Sequence, residues 1–191
     1  KNLPLSNIVV LDLTNVLSGP FATQILSDLG AEIIKVEKPN GDDSRKFGPF
    51  IKKRSSYFIS LNRGKKSIVV DFNNEEDKKI FKKLLAISDV IIDNFKPGTL
   101  EKYGFSSSYL KKNFPLLIQT KISGFGETGP LKENPAYDMI VQAMGGIMSI
   151  TGKDKNETYR VGSSIGDIVA GLYAVIGVLT QIIFRNQSKK G

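Results

Sequence analysis

The 191-residue sequence contains no cysteine and no histidine, and these two gaps remove more chemistry than any motif adds. Without cysteine there is no disulfide, no thiolate metal site and no thiol nucleophile. Without histidine there is no imidazole ligand, no serine–histidine triad and no histidine general base. Any acid, base or nucleophile must then be Asp, Glu, Lys, Tyr, Ser or Thr, and no metal site is expected. A cysteine-free composition fits a reducing compartment, so a cytoplasmic protein is expected. The sequence shows no internal repeat, no low-complexity block and no signal peptide, although it opens on Lys1 rather than Met. Neither the dinucleotide-binding fingerprint nor a Walker loop is present, which argues against a standard NAD or ATP site.

What is present includes a basic balance, 27 Lys and Arg against 19 Asp and Glu, for a net charge of +8. The basic residues are scattered in pairs such as Lys65-Lys66, Lys78-Lys79 and Lys111-Lys112, with no helix-turn-helix, zinc-finger or RNA-binding signature around them. They read as solvated helix faces, and no nucleic-acid partner is expected.

Asn7 to Thr14 is an apolar, β-branched run that predicts a buried strand, Phe21 to Leu29 has helical spacing and stops at Gly30, and Ala31 to Glu37 predicts the next strand. Strand, helix and strand within so short a span predict a parallel pair with a right-handed crossover. The stretch 41–63 reads as loop apart from a short segment at 57–61. Ser67 to Asp71 predicts a strand, Glu75 to Ile87 an amphipathic helix with an acidic start, Asp89 to Asp93 a strand, Thr99 to Leu110 a short helix followed by GFSSSYL, and Leu116 to Ser123 a further strand. A glycine-rich loop at 124–130 leads to a helix over 137–150 broken at Gly145-Gly146, then to a polar loop at 153–158; the chain ends in a charged tail, 187–191. The expected fold class is therefore α/β, a doubly wound parallel sheet. In such sheets ligands bind beyond the carboxyl ends of the strands, which selects the loops at 15–20, 38–45 and 94–98.

The chain organises itself around Gly162-Ser163-Ser164-Ile165-Gly166-Asp167 and the apolar run Ile168 to Phe184. That run predicts a helix buried on most of its circumference, and it is slightly short for a membrane span, so no membrane partner is expected. Asp167 falls in its first turn, where unpaired N–H groups and the helix dipole favour a negative charge. On residues alone Asp167 reads first as a helix cap and second as a reactive carboxylate.

Six blocks change that balance: VVLDLTNVLSGPFATQILSDLGAEIIKVEKPNGDDSR, SLNRGKKSIVVDF, SDVIIDNFKPGTLEKYGF, ISGFGETGP, AYDMIVQAMGGIMSITG and GDIVAGLYAVIGVL. In order and spacing they closely resemble the N-terminal half of the class III CoA-transferases, the group of formyl-CoA:oxalate, carnitine and succinate-dependent CoA-transferases to which the α-methylacyl-CoA racemases are related. The resemblance implies a Rossmann-like large domain, with residues 1–191 its N-terminal part, the small domain absent from this stretch, and a longer chain that forms an interlocked homodimer. It implies that acyl-CoA and a carboxylic acid are the partners, with coenzyme A a substrate thioester and no resident cofactor. Asp167 falls on the family's nucleophile, which forms an acyl-aspartyl anhydride and then an aspartyl-CoA thioester. Val16, Leu17, Ser18, Lys38, Asn94, Phe95, Lys96 and Lys102 fall on CoA-contacting positions, and Tyr137 and Asp138 on the segment lining the acyl pocket. Leu17 and Lys38 stand where formyl-CoA transferases have Gln and Arg; the first argues against formyl or oxalate specificity, and overall resemblance leans toward succinyl-CoA as donor. The racemases place a histidine before the Asp matching Asp138, where this chain has Tyr137, so transfer is expected over racemisation. A third reading is a module that binds acyl-CoA, or an interaction partner, without turnover.

Overall fold

The computed structural model describes residues 3–154 and 156–188. In chain order the elements are β1 (Val9–Asp12), α1 (Ser18–Asp28), β2 (Glu32–Glu37), a 3-10 turn (Asp43–Lys46), β3 (Phe50–Ile51), β4 (Arg54–Ser55), α2 (Ser56–Asn62), β5 (Lys66–Val69), α3 (Glu75–Ile87) and β6 (Val90–Asp93). They continue with α4 (Thr99–Lys102), α5 (Ser107–Asn113), β7 (Ile118–Lys121), α6 (Asp138–Met144), a second 3-10 turn (Ile147–Ile150), β8 (Gly152–Asp154), β9 (Glu157–Thr158) and α7 (Ile165–Ser188).

Five strands pair in parallel in the order β5-β2-β1-β6-β7, with Val10 beside Ile33 on one side and Val90 on the other. The order reverses between β1 and β6, and that reversal opens a crevice at their carboxyl ends. Because successive strand residues face opposite ways, the sheet builds two cores. Val10, Ile33, Val90 and Ile92 pack with Ala22 and Leu26 of α1 and with Val175, Val178 and Ile182 of α7. Leu11, Val36 and Ile91 face the other way, against Phe81 and Leu85 of α3 and against Leu100, Phe105 and Leu110. The architecture is the doubly wound α/β fold that the sequence predicts.

Three expectations need correction. The stretch 41–63 is not loop: it holds the β3–β4 hairpin and α2, capped by Ser55, whose Oγ accepts the N–H of Phe58. The segment expected as a polar loop at 153–158 carries the β8–β9 ladder; the short helix expected within 99–110 is α4, and α5 follows it as far as Asn113. Helix α7 is not buried around most of its circumference. Only Gly171, Val175, Val178 and Ile182 are buried, a single stripe at spacings of four, three and four, while Leu172, Tyr173, Ile176, Ile183 and Phe184 are exposed. Among the described residues α7 is the one helix long and apolar enough to cross a membrane by length and composition. It runs on through Gln187 and Ser188; 189–191, the rest of the expected tail, lie outside the described residues.

Two contacts set where α7 lies. Near its start, Gly171 lets it close onto α1: a Cβ there would sit 2.7 Å from the Ser18 carbonyl oxygen and 3.1 Å from the Phe21 ring. Near its end, the Arg185 guanidinium pairs with Asp89 at 3.0 Å and donates to the Leu116 carbonyl at 3.2 Å, at the amino ends of β6 and β7. The helix thus crosses the sheet from the carboxyl edge, where Asp167 sits, to the amino edge.

Candidate active site

The loop after β1 is held in a conformation its residues would not choose. Val16 is β-branched and adopts φ of 68°, a left-handed backbone that costs on the order of 1–3 kcal/mol and persists only where neighbours enforce it. The neighbours are Asn94, whose Oδ1 accepts the Asn15 N–H and whose Nδ2 donates to the Asn15 carbonyl, both at 2.9 Å, and Asp42, whose Oδ1 accepts the Val16 N–H at 3.3 Å. Asn94 therefore bridges the β1 and β6 loops across the crevice.

Beneath this loop lies a charge network without exposure to solvent. The Lys35 ammonium pairs with Asp42 at 2.9 Å and donates to the Thr14 carbonyl at 2.8 Å. The Lys65 ammonium pairs with Asp12 at 3.1 Å and also reaches Pro20, Thr23 and Asn62. Burial alone would raise the Asp12 pKa, but Lys35, Lys65 and the hydroxyls of Thr14 and Thr23 outweigh it and hold the carboxyl at about 2. Burial draws Lys65 down to about 8 against the pull of Asp12, so both partners are charged at neutral pH. An uncompensated charge here would be severely destabilising; paired, the four groups fix the base on which the β1 loop and α1 rest.

Above them is a cavity of about 390 Å³, lined from three directions. Val16, Leu17 and Ser18 line it from the start of α1, Asn94, Phe95 and Lys96 from the loop after β6, and Tyr137, Asp138, Gly166 and Asp167 from α6 and α7. The first turn of α1 has no side-chain cap, and Leu17 and Ser18 at its start line the cavity, where the positive end of a helix favours an anion. Nine residues singled out in the sequence thus meet in one place. Lys38 and Lys102 do not line it. Lys38 is instead held by Asp43 at 2.8 Å with both side chains about half exposed, and Lys102 is an exposed residue at the end of the four-residue α4.

The carboxylate of Asp167 is not a helix cap. The acceptor at the start of α7 is Asp138, whose Oδ1 takes the Gly166 N–H at 2.9 Å, and among the described residues no hydrogen bond holds the Asp167 side chain. Burial, and then the negative charge of Asp138, push the Asp167 pKa above the ordinary carboxylate value. The start of a helix favours the charged form, but desolvation and a like charge set the direction of the shift. The charge of Asp167 also reaches Tyr57 of α2, whose pKa is raised by burial and then by that charge.

Sequence reasoning missed Asp12, Lys35, Asp42, Lys65, Tyr57 and Gln142. A signal existed for two of them, since Asp12 and Lys35 interrupt apolar strand runs, and a charge at a strand position buried on both faces must be paired. Lys132, which also lines the cavity, sits in the loop before α6 and had no signal.

Residues 5–191 match CoA-transferase family III. The chain is 45% identical over 190 residues to an acetyl-CoA:oxalate CoA-transferase of Acetobacter aceti, covering 98% of this chain and 49% of that protein. It is 43% identical over 190 residues to a succinyl-CoA:glutarate CoA-transferase of Mus musculus, covering 98% and 44%. The crystal structure of a CAIB/BAIF family protein from Brucella suis superposes with a TM-score of 0.96 at 44% identity, covering 100% of this chain and 52% of that one. The chain spans about half the length of the curated relatives it matches. With the match running through the sheet, the cavity-lining loops and α7 alike, the chain belongs to CoA-transferase family III.

Proposed function

We propose that the protein transfers coenzyme A from an acyl-CoA to a free carboxylic acid, with Asp167 as nucleophile. The observation that carries this reading is a carboxylate left without a capping role, set at the mouth of a cavity that α1 opens onto with an uncapped N-terminus. The Asp167 oxygen attacks the thioester carbonyl and CoA leaves as its thiolate, giving an acyl-aspartyl anhydride. The thiolate then attacks the aspartyl carbonyl, releasing the donor acid and leaving an aspartyl-CoA thioester. The acceptor carboxylate attacks that thioester in turn, and the thiolate, attacking the new acyl carbonyl, frees Asp167 and departs as acceptor-CoA. Each step exchanges one acyl bond for another, so the sequence needs neither water nor an external base. Exclusion of water is what keeps the anhydride from hydrolysing.

Lys96 and Lys132 supply positive charge at the cavity for the CoA phosphates, and the uncapped end of α1 suits the pyrophosphate. Coenzyme A enters as substrate, not as resident cofactor. The relatives' names pair acetyl-CoA with oxalate and succinyl-CoA with glutarate, so similarity along the chain does not select an acid; Leu17 in the cavity favours an acid other than oxalate. The exposed apolar face of α7 supports a homodimer or further chain covering it in the whole protein. A binding module without turnover is the second reading, favoured by the chain's span of half its relatives. CoA exchange between an acyl-CoA and an isotopically labelled acid, followed by mass in the full-length protein, separates the two. Transfer abolished by Asp167→Asn supports the proposal, and binding with no exchange contradicts it.

A further inference from the structure

Helix α6 has an inverted burial pattern. Met139, Ile140, Val141 and Met144 are exposed, while Gln142 is 0% exposed and is the one buried residue of the helix. Apolar burial does not hold this helix in place, and an amide removed from water is tolerated only if its donor and acceptor are both met. Both are. The Gln142 Nε2 donates to Asp138 Oδ2 at 2.6 Å and reaches the carbonyls of Val161 and Ser163 at 3.4 Å each, while its Oε1 accepts the Val161 N–H at 2.7 Å. The second oxygen of Asp138 accepts the Gly166 N–H, one residue before Asp167. One buried amide therefore joins α6 to the segment that enters α7, and orients the carboxylate that caps the start of α7.

We infer that Gln142 is a positioning residue for transfer: its amide locks Asp138 and the 161–163 segment into the one arrangement that aims Asp167 into the cavity. The inference rests on Asp167 being the nucleophile. Gly166 marks how tight the arrangement is, because a Cβ there would lie 3.2 Å from both Asp138 Oδ1 and Val141 Cγ1. A nucleophile must be held close to its line of attack, and a displacement of about 1 Å costs on the order of 100-fold in rate. A residue that only stabilised the fold would change the fraction folded and leave the turnover of folded enzyme untouched.

The test uses two variants of the full-length protein, with Asp167→Asn assayed beside them. Gln142→Met keeps the length and removes every hydrogen bond; kcat for CoA exchange is expected to fall roughly 10- to 100-fold while KM for the acyl-CoA changes by less than about threefold. Gln142→Glu keeps an acceptor for the Val161 N–H but sets a carboxylate against Asp138. The added negative charge should move the acid limb of the pH–kcat profile to higher pH. The other charged or titratable groups around Asp167, namely Asp138, Tyr57, Lys96 and Lys132, are unchanged in both variants. If Gln142→Met fails to fold, the Gln142→Glu profile decides. Wild-type kcat and an unmoved acid limb, with only a lowered unfolding temperature and with Asp167→Asn inactive, overturn the positioning role alone. Full activity in Asp167→Asn overturns the nucleophile reading and this inference with it.

Discussion

At the scale of single residues, the proposed reaction turns on two carboxylates that the fold brings to one helix start. Asp138 takes the capping bond and leaves Asp167 without one; burial, and then the charge of Asp138, raise the Asp167 pKa. Transfer needs Asp167 ionised, so kcat should rise with pH through that raised value and flatten above it. Replacing Asp138 by Asn removes the like charge, which favours the ionised form of Asp167, and the acid limb should move to lower pH. An Asn can still accept the Gly166 N–H, but its amide would meet the Gln142 donor, so the plateau rate is expected to drop by roughly 10-fold as geometry loosens. A pH–kcat series on Asp138→Asn checks both effects, and a limb that stays in place or rises contradicts the coupling. Asp167 was legible as a candidate because a lone acid stands between Gly166 and a long apolar run, although on residues alone it reads first as a helix cap and only the family resemblance reverses that order. Gln142 was not, because MIVQAM reads as an apolar helix in which a glutamine belongs on the wet face. Its burial depends on Asp138 and Val161, and no local pattern encodes contacts made across such separations.

At the scale of elements, α7 is the lever that carries Asp167, and its seat on α1 is set by one missing side chain. Gly171→Ala would drive a methyl group to 2.7 Å from a backbone oxygen of Ser18, and backbone at the start of α1 cannot move aside without disturbing Val16 and Leu17. The helix has to lift instead. Overpacking of this kind costs about 1–3 kcal/mol, and a lowered unfolding temperature should accompany a loss of exchange rate in the folded enzyme. Unchanged stability and rate in Gly171→Ala would mean that the α1–α7 contact does not position the site. Elements long enough to show a period were readable, and α3 matched residue for residue because Asn74 caps it, its Oδ1 accepting the Glu76 N–H, before an acidic first turn. The pieces between 41 and 63 were not, since each is at most seven residues and too short for periodicity to separate from loop. Helix α7 misled in the opposite direction: a run apolar on every side does not say which face meets the sheet.

For the whole molecule, the net charge of +8 would favour the polyanionic thioester proposed as substrate, but position decides which lysines matter. Lys96 and Lys132 line the cavity, whereas Lys38 is held by Asp43 outside it. Lys96→Ala and Lys132→Ala should each weaken CoA roughly 5- to 10-fold, about 1 to 1.4 kcal/mol, and Lys38→Ala less than about twofold. Calorimetric titration of the full-length protein with CoA measures this. The differences should shrink at about 0.5 M salt, where exposed charges are screened. A larger loss for Lys38→Ala would place the phosphates along the β2 loop instead. The doubly wound parallel sheet and the loops at its carboxyl edge were legible from strand, helix and strand alternation alone; the order of its strands was not. Which of those loops closes on the cavity was not, because the ion pairs Lys35–Asp42 and Arg45–Glu37 draw the β2 loop inward onto its own charges.

The claim on which the account depends is that Asp167 becomes acylated. The direct measurement is peptide mass spectrometry of the full-length enzyme after incubation with an acyl-CoA donor and quenching with hydroxylamine. The account predicts a hydroxamate on the peptide containing Gly166-Asp167-Ile168, absent without donor and absent in Asp167→Asn. That variant should stay folded, because among the described residues no hydrogen bond holds the Asp167 side chain. An enzyme that exchanges CoA while this peptide stays unmodified, or an Asp167→Asn variant with undiminished transfer, would contradict it.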